Sequence, residues 1–580
     1  MAWTNEDVAR QFAEIATLLK LSGADAFRVR AYERAAGAIG AATDDLSSLD
    51  EAAMSQLKGI GTSTAKKISE YLQTGSIGML DELRAAVPAG LVALTRVPGL
   101  GPKTARLLYE QLGVDSVQGL REAIDTERLR GLPGLGPKTE VNLREALSRL
   151  GAKDTGRLPM ADAIAIAEEL CARLARLPEV EQVAFAGSLR RMRETVGDVD
   201  VLAAATDPGP VHAAFRDSDL VTEVLAAGDK KTSVITRAGV QADLRVVEPD
   251  AWGAALVYFT GSKAHNVRVR ERAVRRGLTL NEYGLFDRES GERRASRDEA
   301  EVYGAMGMTV VPPPMREDAG EVEAAAGGTL PRTVQLGDLR GDLHGHSDWS
   351  GDGKATLEEM VTAAAERGYA YWAVTDHAED LPMNGLSRER MLARREAIAA
   401  LQQRYELRIL EGAELNIGVD GGVDYDPAFL AGFDWCVASV HTLMNRPGPE
   451  QTARIIAAME HPSVHAIGHL TGRLIGRRPA YDVDLDAILE AALGTRTALE
   501  INASPRRLDL SGEMVRRAVD AGVTLTISCD AHSVGDLASM RYGVGTAQRG
   551  WATPELVLNC GDLDRVLAFT QDKRSRSRAR

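Results

Sequence analysis

Hydrophobic and polar positions change their spacing along this chain, and each change predicts a different kind of structure. Apolar residues recur at helical spacing in IATLLKL (15–21) and AFRVRAYERAAGAI (26–39), so residues 1–85 are predicted to be helical. From about residue 180 the spacing becomes that of strands, in VAFAGS, DVDVLAAA, SVITRAG and VQADLRVV. The stretch VPPPMREDAGEVEAAAGGTLP (311–331), with three prolines and a Gly-Gly pair, is predicted to be a linker.

Beyond this stretch, short apolar runs alternate with helical segments such as LEEMVTAAAERG and ILEAALG. Seven of the apolar runs carry a polar residue, or one of a metal-binding type, at or directly before their end. Parallel strands joined by helices bring their carboxyl ends to one rim, so the pattern predicts a (β/α) barrel with its site on that rim. The seven runs are GDLHGH, YWAVTDH, RILEGAEL, WCVASVH, HAIGHL, TALEINAS and TLTISCDAH.

Charge and composition restrict the classes of function. The chain carries a net charge of −14, so any nucleic-acid contact must come from local concentrations of basic residues. One such concentration lies at 261–276, where six basic residues accompany a single glutamate. The N-terminus has no secretory signal pattern, no run of 18 apolar residues occurs, and the four cysteines form no C-x-x-C pair. We therefore expect a cytoplasmic protein without membrane contact.

A glycine-rich motif occurs three times in the N-terminal part. RVPGLGPKTARLL (96–108) and GLPGLGPKTEVNL (131–143) match closely, and LKGIGTSTAKKI (57–68) is a weaker copy. One copy would be explained by a packing turn between helices, whereas three copies favour phosphate binding by backbone N–H groups at a helix start. The motifs resemble helix-hairpin-helix motifs, which implies a sequence-independent grip on the DNA backbone and a Na⁺ or K⁺ ion held by backbone carbonyls. The implied DNA contacts are Gly59, Gly61, Gly99, Gly101, Lys103, Gly134, Gly136 and Lys138, and the implied carbonyl ligands are Leu57, Ile60, Thr95, Val97 and Leu100.

The segment AGSLRRMRETVGDVDVL (186–202) combines a Gly-Ser turn with two aspartates on a predicted strand. Asp198 and Asp200 alternate along that strand and therefore face one side, while Asp243 lies on another strand. Three carboxylates can hold two divalent ions, one to activate a 3′-hydroxyl and one to steady a triphosphate. The combination indicates a nucleotidyl-transfer site, in a group that also includes enzymes without a template. Candidate phosphate contacts are Gly187, Ser188 and Arg191.

The segments VYFTGSKAHNVRVRERA (257–273) and GLTLNEYGLF (277–286) strongly resemble the nucleotide-binding and thumb region of X-family DNA polymerases. The resemblance covers about residues 5–315 and implies that the three aspartates bind two Mg²⁺ or Mn²⁺ ions. One position departs from the family pattern: Gln241 stands where the animal repair enzyme has arginine, two positions before the third aspartate. We expect this difference to alter the environment of the primer end or of Asp243 as a base, and with it the reaction rate and the metal preference. The implied triphosphate contacts are Arg157, Ser188, Arg191 and Gly197; Tyr258, Phe259 and Gly261 line the sugar pocket; Asn266 and Arg270 lie beside the nascent base pair.

The first domain resembles the deoxyribose-phosphate lyase domain of the same family. By that resemblance Lys67 would be the Schiff-base lysine and Tyr32 a supporting tyrosine. A lysine nucleophile must be largely unprotonated, which requires burial or neighbouring cations such as Lys66 and Arg34. Ser63 replaces a basic position on the same helix, and an ordinary DNA-facing role for Lys67 is the preferred alternative.

Histidines and carboxylates recur at the strand ends of the C-terminal part. A lone histidine is more often structural than a ligand, but six histidines together with three carboxylates at predicted strand ends are poorly explained by chance. Mixed imidazole and carboxylate ligands favour Zn²⁺, Mn²⁺ or iron over Mg²⁺ or Ca²⁺. Nine ligands suffice for two or three ions, with Glu414 as the natural bridge between them. The nine are His344, His346, Asp352, His377, Glu414, His441, His469, Asp530 and His532.

This set resembles the PHP (polymerase and histidinol phosphatase) domain, over about residues 336–572. The resemblance implies bound Mn²⁺ or Zn²⁺ and 3′-to-5′ exonuclease action on DNA ends, with 3′-phosphatase activity or abasic-site cleavage as further options. Asn502, Arg506 and Arg507 are candidates for phosphate contact, and capping or salt-bridge roles are equally open for them.

Together these patterns predict a multidomain chain: helical N-terminal domains with helix-hairpin-helix motifs, an α+β nucleotidyltransferase palm with a thumb, and a distorted PHP (β/α) barrel. The predicted ranges are 1–85 (lyase-like helical domain with the first hairpin), 86–150 (helix-hairpin-helix fingers), 151–250 (palm), 251–315 (thumb and nascent-pair binding), 316–335 (linker), 336–572 (PHP phosphoesterase) and 573–580 (a solvated basic tail).

The favoured function is a gap-filling DNA polymerase for repair that also processes 3′ ends. We expect it to act as a monomer on gapped or nicked DNA and dNTPs, at the nucleoid. A template-independent nucleotidyltransferase and a DNA-end scaffold with an inactive PHP domain are the alternatives. The YFTGSKAHN segment and the three hairpins disfavour the first, because an enzyme without a template has little use for a grip on downstream duplex. The complete ligand sets disfavour the second.

Overall fold

A computed structural model describes residues 5–41, 49–57, 59–87, 100–116, 128–132, 157–381 and 384–579, with a few single positions and pairs between these ranges. The chain divides into two compact units, Met1–Arg157 with Pro208–Val246 and Leu158–Asp207 with Val247–Arg580. Across the described residues, no helix combines the length and the apolar character that a membrane span requires.

The first unit is mainly helical, as its periodicity predicts. Phe12, Ile15 and Leu19 recur at helical spacing on the first helix and are buried against Ala35 and Ile39 of the second. Three antiparallel strands complete the unit. Its described helices are Asn5–Ser22, Ala26–Ala41, Glu51–Gln56, Thr62–Thr74, Gly78–Ala86, Pro102–Leu112 and Pro208–Arg216, and its strands are Val221–Ala227, Lys231–Thr236 and Gln241–Val247.

The second unit begins with palm and thumb elements. The strand Asp198–Ala205 pairs antiparallel with Val180–Phe185, and the apolar helix Trp252–Thr260 is almost wholly buried. Ser262 begins the next helix by accepting a hydrogen bond from the His265 N–H at 3.2 Å. The helices are Met160–Leu174, Gly187–Arg190, Trp252–Thr260, Lys263–Arg275, Glu299–Ala305 and Glu321–Gly327; the strands are Leu158–Pro159, Val180–Phe185, Thr195–Val196, Asp198–Ala205, Leu278–Asn281, Gly284–Asp287 and Arg293–Ala295.

The segment 316–335, expected to be a linker, is packed against the thumb instead. Arg316 is fully buried, and its guanidinium lies 2.8 Å from the Glu299 carboxylate. Glu321 is also fully buried and lies 2.6 Å from Nδ1 of His265. The proline-rich composition suggested a connection without contacts to the rest of the fold. The charged residues that follow the prolines instead form internal ion pairs, which hold the segment in place.

The C-terminal part is the predicted barrel. Its strands pair in parallel in chain order, and a further parallel bridge between Gly345 and Ala531 joins the segments after the first and last strands, so the sheet nearly closes. The strands are buried on both faces, which is typical of parallel sheets covered by helices. They are β1 (Gly341–Asp342), β2 (Tyr371–Val374), β3 (Arg408–Asn416), β4 (Trp435–Ser439), β5 (Ala466–Ile467), β6 (Ala498–Asn502) and β7 (Leu525–Ser528). The helices are Leu357–Glu366, Arg388–Gln402, Pro427–Leu430, Gly448–Glu460, Leu485–Thr495, Gly512–Ala521, Met540–Arg549 and Leu563–Ala579.

The C-terminal end differs from the solvated tail predicted for 573–580. The last helix continues to Ala579, and the Lys573 side chain is fully buried. Its Nζ donates to the backbone carbonyls of Met459 at 2.8 Å and Thr495 at 3.1 Å, and to the Thr497 hydroxyl at 2.7 Å. The run of basic residues suggested solvation, whereas its single lysine meets three oxygen acceptors inside the fold.

Candidate metal centre and nucleotide site

One rim of the barrel collects all nine residues that the sequence proposes as metal ligands. Parallel strands present their carboxyl ends on the same rim, and eight of the nine residues follow a strand there, while Glu414 lies within β3. His344, His346, His377, Glu414 and His469 are buried. The remaining four, Asp352, His441, Asp530 and His532, are partly exposed, so the cluster opens to solvent on one side.

Glu414 lies at the centre of this cluster. Its Oε1 is 3.1 Å from Nε2 of His441 and 3.0 Å from Nε2 of His469. Its Oε2 is 2.9 Å from Nδ1 of His377 and 3.5 Å from Nε2 of both His344 and His346. Each carboxylate oxygen thus faces a different set of imidazoles. This arrangement supports the bridging role predicted for Glu414.

The ligand atoms of the rim fit divalent metal ions. Nε2 of His344, both ring nitrogens of His346 and Oε2 of Glu414 are buried without a hydrogen-bond partner among the described residues. Buried polar atoms rarely lack partners, so their convergence indicates that cations complete their coordination. On this rim, three groups of described residues have ligand atoms within 4.8 Å of one another: His346, His377 and His532; His344, His346, Glu414 and Asp530; and His377, Glu414 and His441.

Burial and neighbouring charges move the pKa values in this cluster in opposite directions. Burial, reinforced by His532 and His377, lowers the pKa of His346 to about 4. Burial would also lower the pKa of His377, but the carboxylates of Glu414 and Asp352 outweigh it and raise that pKa to about 10. Burial alone would raise the pKa of Glu414, yet the adjacent histidines hold it well below its ordinary value. The central carboxylate is therefore ionised, which is the form that binds metals.

A buried carboxylate that the sequence analysis did not single out orients two of the ligands. Glu500, in β6, lies 2.6 Å from Nδ1 of His344 and accepts a bond from the His469 backbone N–H at 2.7 Å. Asn502 donates to Glu500 at 3.1 Å and to Asp530 at 3.2 Å, so this fully buried side chain supports the cluster rather than facing a phosphate. With a carboxylate at Nδ1, His344 holds its proton there and presents Nε2 to the cluster. The alternation of Glu500 and Asn502 in TALEINAS indicates that both side chains face the same side of β6, and it could have identified Glu500 from the sequence.

Two further polar contacts orient ligands on other strands. Asn416, at the end of β3, places its Oδ1 2.7 Å from Nδ1 of His441. Asp376 is fully buried and accepts a bond from the Ser350 hydroxyl at 3.1 Å, and that hydroxyl accepts from the His377 backbone N–H at 3.0 Å. Asp376 directly precedes His377, but adjacency alone gave no reason to assign it a role.

The Gly-Ser turn of the predicted nucleotide site packs closely against the predicted aspartate pair. Asp198 and Asp200 lie on one half-exposed face of their strand, and Val199 between them is fully buried. Gly187 has a φ of 61°, and a Cβ added there would lie 2.0 Å from Oδ2 of Asp200. Only glycine allows the turn to approach that carboxylate so closely. The alternation of the two aspartates is as the sequence predicts.

The predicted sugar-pocket and nascent-pair residues form one connected group. The rings of Tyr258 and Phe259 meet edge to face with their centroids 5.0 Å apart. Asn266 donates to the Tyr258 carbonyl at 2.7 Å, and the Arg270 guanidinium lies 5.3 Å from the centre of the Tyr258 ring. Gly261 ends the helix with a φ of 68°, a conformation that favours glycine.

Arg191 joins the Gly-Ser turn to this group. Its Nη1 donates to the carbonyl of Thr260 at 2.6 Å, and its Nε donates to Glu317 at 3.1 Å. Among the other predicted triphosphate contacts, Ser188 is half-buried, whereas Gly197 and Arg157 are exposed.

Asp243, the third predicted aspartate, belongs to the first unit and has a defined environment there. It is 6% exposed, and its Oδ2 lies 2.9 Å from Nζ of Lys231 on the neighbouring strand. Gln241 donates from Nε2 to its Oδ1 at 3.0 Å. Gln241, the residue that departs from the family pattern, thus contacts Asp243 directly. Lys231 was not predicted from the sequence, because strand pairing is needed to bring its strand beside that of Asp243.

The first glycine hairpin has the local geometry that the motif predicts. Gly59 has a φ of 93°, and a Cβ there would lie 2.8 Å from Cβ of Ala38. Gly61 caps the helix Thr62–Thr74, and Gly101 of the second motif caps Pro102–Leu112. In the first hairpin, the Ile60 N–H donates to the Leu57 carbonyl at 3.0 Å and so closes the turn before Gly61. In the second motif, Leu100 is buried. The backbone of Lys103 lies in the first turn of its helix, and Gly99, Gly134, Gly136, Lys138, Thr95 and Val97 lie outside the described residues.

The residues proposed for a lyase reaction do not meet in a buried pocket. Lys67 is half-exposed, and its Nζ donates to the Ser63 hydroxyl at 3.2 Å. The Tyr32 hydroxyl lies 3.1 Å from the sulfur of Met79. Lys67 therefore lacks the enclosed setting that a lyase role would require.

Four family models match the chain. They are the helix-hairpin-helix domain at 3–77, the SAM-like helix-hairpin-helix tandem at 91–149, the DNA polymerase beta thumb at 255–317 and the PHP domain at 342–504. Together with the nearly closed parallel barrel, these matches confirm the predicted fold class.

Three relatives illustrate what the chain is similar to. The DNA polymerase/3′-5′ exonuclease PolX of Bacillus subtilis (strain 168) is 39% identical over 568 residues, which cover 97% of this chain and 99% of that protein. DNA polymerase lambda of Rattus norvegicus is 28% identical over 287 residues, 45% of this chain and 46% of the relative. A probable phosphatase of Vibrio vulnificus (strain CMCP6) is 28% identical over 213 residues, 35% of this chain and 82% of the relative.

Proposed function

The chain belongs to the family of the bacterial DNA polymerase/3′-5′ exonuclease PolX, and on that premise we propose which residues serve each activity. It is a DNA-directed DNA polymerase with a separate PHP-type 3′-to-5′ exonuclease, and both parts of this family depend on metal ions. The observation that carries the assignment of residues is the convergence of all nine ligand-type side chains on one barrel rim.

For the polymerase site we propose that Asp198, Asp200 and Asp243 together hold two Mg²⁺ or Mn²⁺ ions. Bound there, the ions would activate the primer 3′-hydroxyl and steady the triphosphate with its leaving group. The one-sided placement of the first two aspartates and the contacts of Asp243 with Lys231 and Gln241 support this role. The proposed triphosphate contacts are Arg157, Gly187, Ser188, Arg191 and Gly197, the sugar contacts are Tyr258, Phe259 and Gly261, and the nascent-pair contacts are Asn266 and Arg270.

For the exonuclease we propose that the nine rim residues bind two or three Mn²⁺ or Zn²⁺ ions, with Glu414 as the bridge. Bound there, the ions would lower the pKa of a water molecule and hold a phosphodiester for attack. Glu500 and Asn416 orient His344 and His441, so these imidazoles need little rearrangement on binding. Arg507, with its Nε 3.5 Å from Asp530, is placed to contact a phosphate at the open side. The same site could remove a 3′-phosphate.

The physiological substrate that we propose is gapped or nicked DNA, held through its backbone by the glycine hairpins. The tight turn at Gly59 and the helix starts after Gly61 and Gly101 support such a grip. We assign Lys67 to DNA contact rather than to a lyase reaction, because it is half-exposed and bonded to Ser63. We further propose that the chain works as a monomer in the cytoplasm, at the nucleoid, with Na⁺ or K⁺ at the hairpin carbonyls.

A pair of double substitutions tests the division between the two sites. Asp198→Ala with Asp200→Ala should abolish templated insertion into a one-nucleotide gap and leave Mn²⁺-dependent degradation of a 3′ end intact. His344→Ala with His346→Ala should do the reverse. Insertion that ignores the template base would favour a template-independent transferase. Loss of both activities in either folded variant would contradict the proposed independence of the sites.

A further inference from the structure

A helix of the PHP barrel, Met540–Arg549, reaches the turn that carries Arg191. Nη1 of Arg549 lies 2.9 Å from the backbone carbonyl of Arg191 and 2.9 Å from Oε1 of Glu317. Glu317 also accepts the bond from Nε of Arg191. One arginine of the barrel therefore holds the backbone of Arg191 directly and its side chain through Glu317.

The remaining contacts of Arg191 leave one part of its guanidinium for a ligand. Nε is engaged by Glu317 and Nη1 by the carbonyl of Thr260, whereas Nη2 makes no hydrogen bond to any described residue. A guanidinium is planar, so fixing two of its nitrogens also fixes the direction in which the third points. The support of Arg191 from the barrel thus sets how that nitrogen is presented.

A steric contact holds the same turn against the same helix. Met192 has a φ of 56° and packs onto Gly545. A Cβ added at Gly545 would lie 2.4 Å from Cε and 2.9 Å from Cγ of Met192. The glycine therefore makes room for the turn beside Arg549, and its absence would push the turn away from the helix.

Other ion pairs join the barrel to the palm without touching Arg191. Arg473 forms a two-pronged pair with Glu194 at 2.8 and 3.1 Å. Arg541, on the same helix as Arg549, pairs with Glu168 at 2.7 Å, but both side chains are more than 40% exposed. Exposed pairs contribute little to stability, so Arg541 offers a control that lies on the same helix and crosses the same interface.

We propose that Arg549 is a positioning residue for nucleotide binding at the polymerase site, so that the PHP barrel supplies part of the support of that site. The inference rests on the proposed assignment of Arg191 as a triphosphate contact. Without Arg549, the Arg191 carbonyl loses its donor, and Glu317 keeps Arg191 as its main charged partner. A less well oriented Arg191 binds the triphosphate more weakly, whereas the aspartates that support the chemical step are unchanged.

Steady-state insertion of a nucleotide into a one-nucleotide gap by the full-length protein tests the positioning role of Arg549. We expect Arg549→Ala to raise the KM for dNTP about tenfold, a loss of ~1.4 kcal/mol of binding, while kcat stays within about twofold. Arg549→Lys should restore part of the effect, because lysine keeps the charge but cannot bridge two acceptors with a planar group. Arg541→Ala should leave KM unchanged. The Mn²⁺-dependent exonuclease rate of each variant reports that the barrel is folded.

The steric contact between Gly545 and Met192 supplies an independent test. Gly545→Ala should raise the KM for dNTP, and Met192→Ala in the same chain should reverse that rise. An unchanged KM in Arg549→Ala, together with a raised KM in Arg191→Ala, would overturn the inference and leave the proposed function standing. An unchanged KM in Arg191→Ala would refute the assignment of Arg191 itself. A lower KM in Glu317→Gln would also overturn the inference, since it would mean that Glu317 competes with the triphosphate.

Discussion

The buried carboxylate of Glu500 offers a sharp test of how the barrel orients the proposed metal ligands. Its Oε1 faces Nδ1 of His344 at 2.6 Å, and its Oε2 accepts bonds from the His469 N–H and from Asn502. The substitution Glu500→Gln preserves the size of the side chain but replaces one oxygen by an NH₂ group. Two donors already point at Oε2, so the amide oxygen of glutamine must remain there and the NH₂ group must face His344.

This exchange would move the proton of His344 to the wrong nitrogen. An NH₂ group donates to Nδ1, which leaves the proton on Nε2, the nitrogen that faces Glu414 at 3.5 Å and Asp530 at 3.6 Å. A protonated Nε2 cannot bind a metal. We therefore expect metal affinity to fall by roughly 10–100-fold, in line with other second-layer substitutions, which corresponds to ~1.4–2.8 kcal/mol.

The assay is the Mn²⁺ dependence of 3′-end degradation. The Mn²⁺ concentration for half-maximal rate should rise in Glu500→Gln, and the rate should recover at high Mn²⁺, while gap filling by the same preparation is unchanged. Glu411→Gln is the matched control, because Glu411 is a buried barrel carboxylate that pairs with Arg395 at 2.7 Å outside the ligand cluster. Equal Mn²⁺ dependence in Glu500→Gln and the unsubstituted protein would refute the tautomer argument, and an equal shift in Glu411→Gln would trace the effect to the barrel in general.

Two further predictions concern other parts of the chain. Gly187→Ala should reduce templated insertion about 100-fold, because a Cβ 2.0 Å from Oδ2 of Asp200 displaces the carboxylate; single-turnover insertion measures the loss, and normal insertion would contradict it. Burial lowers the pKa of Lys573 from 10.5 to about 7, so the folded state holds fewer protons than the unfolded chain between these values and stability should rise with pH across that interval. Lys573→Met should flatten this part of the Tm-against-pH curve, and an identical slope would contradict the argument.

The ligand cluster could be predicted from sequence because each of its members carries a local signal. A barrel strand ends at a known rim, so His377 after AVTD or His469 after AIG is placed by the strand that precedes it. No knowledge of distant contacts is needed to gather such residues. The same holds for Asp198 and Asp200, whose alternation on one strand fixes their common face.

The contacts that orient these residues lacked such a signal. Lys231 reaches Asp243 only through strand pairing, and Glu500 has a role only because the near-closure of the barrel brings its side chain, on β6, to that of His344, which follows β1. The close packing of segment 316–335 was not predicted, for a related reason. Proline and glycine content describes local backbone preference, whereas the buried pairs of Arg316 and Glu321 are made with residues elsewhere in the thumb.

That segment also explains how the thumb, the palm turn and the barrel keep a fixed relation within the second unit. Arg316 pairs with Glu299 of the thumb, Glu317 lies between Arg191 and Arg549, and Glu321 pairs with His265. Buried ion pairs add little net stability, because the cost of desolvation offsets their attraction, but a buried charge that loses its partner is strongly unfavourable. Any displacement of the segment would leave several buried charges without their partners at once. The short charged stretch therefore disfavours other arrangements of the palm turn, the thumb and the barrel. It holds Arg191 where all three contact it.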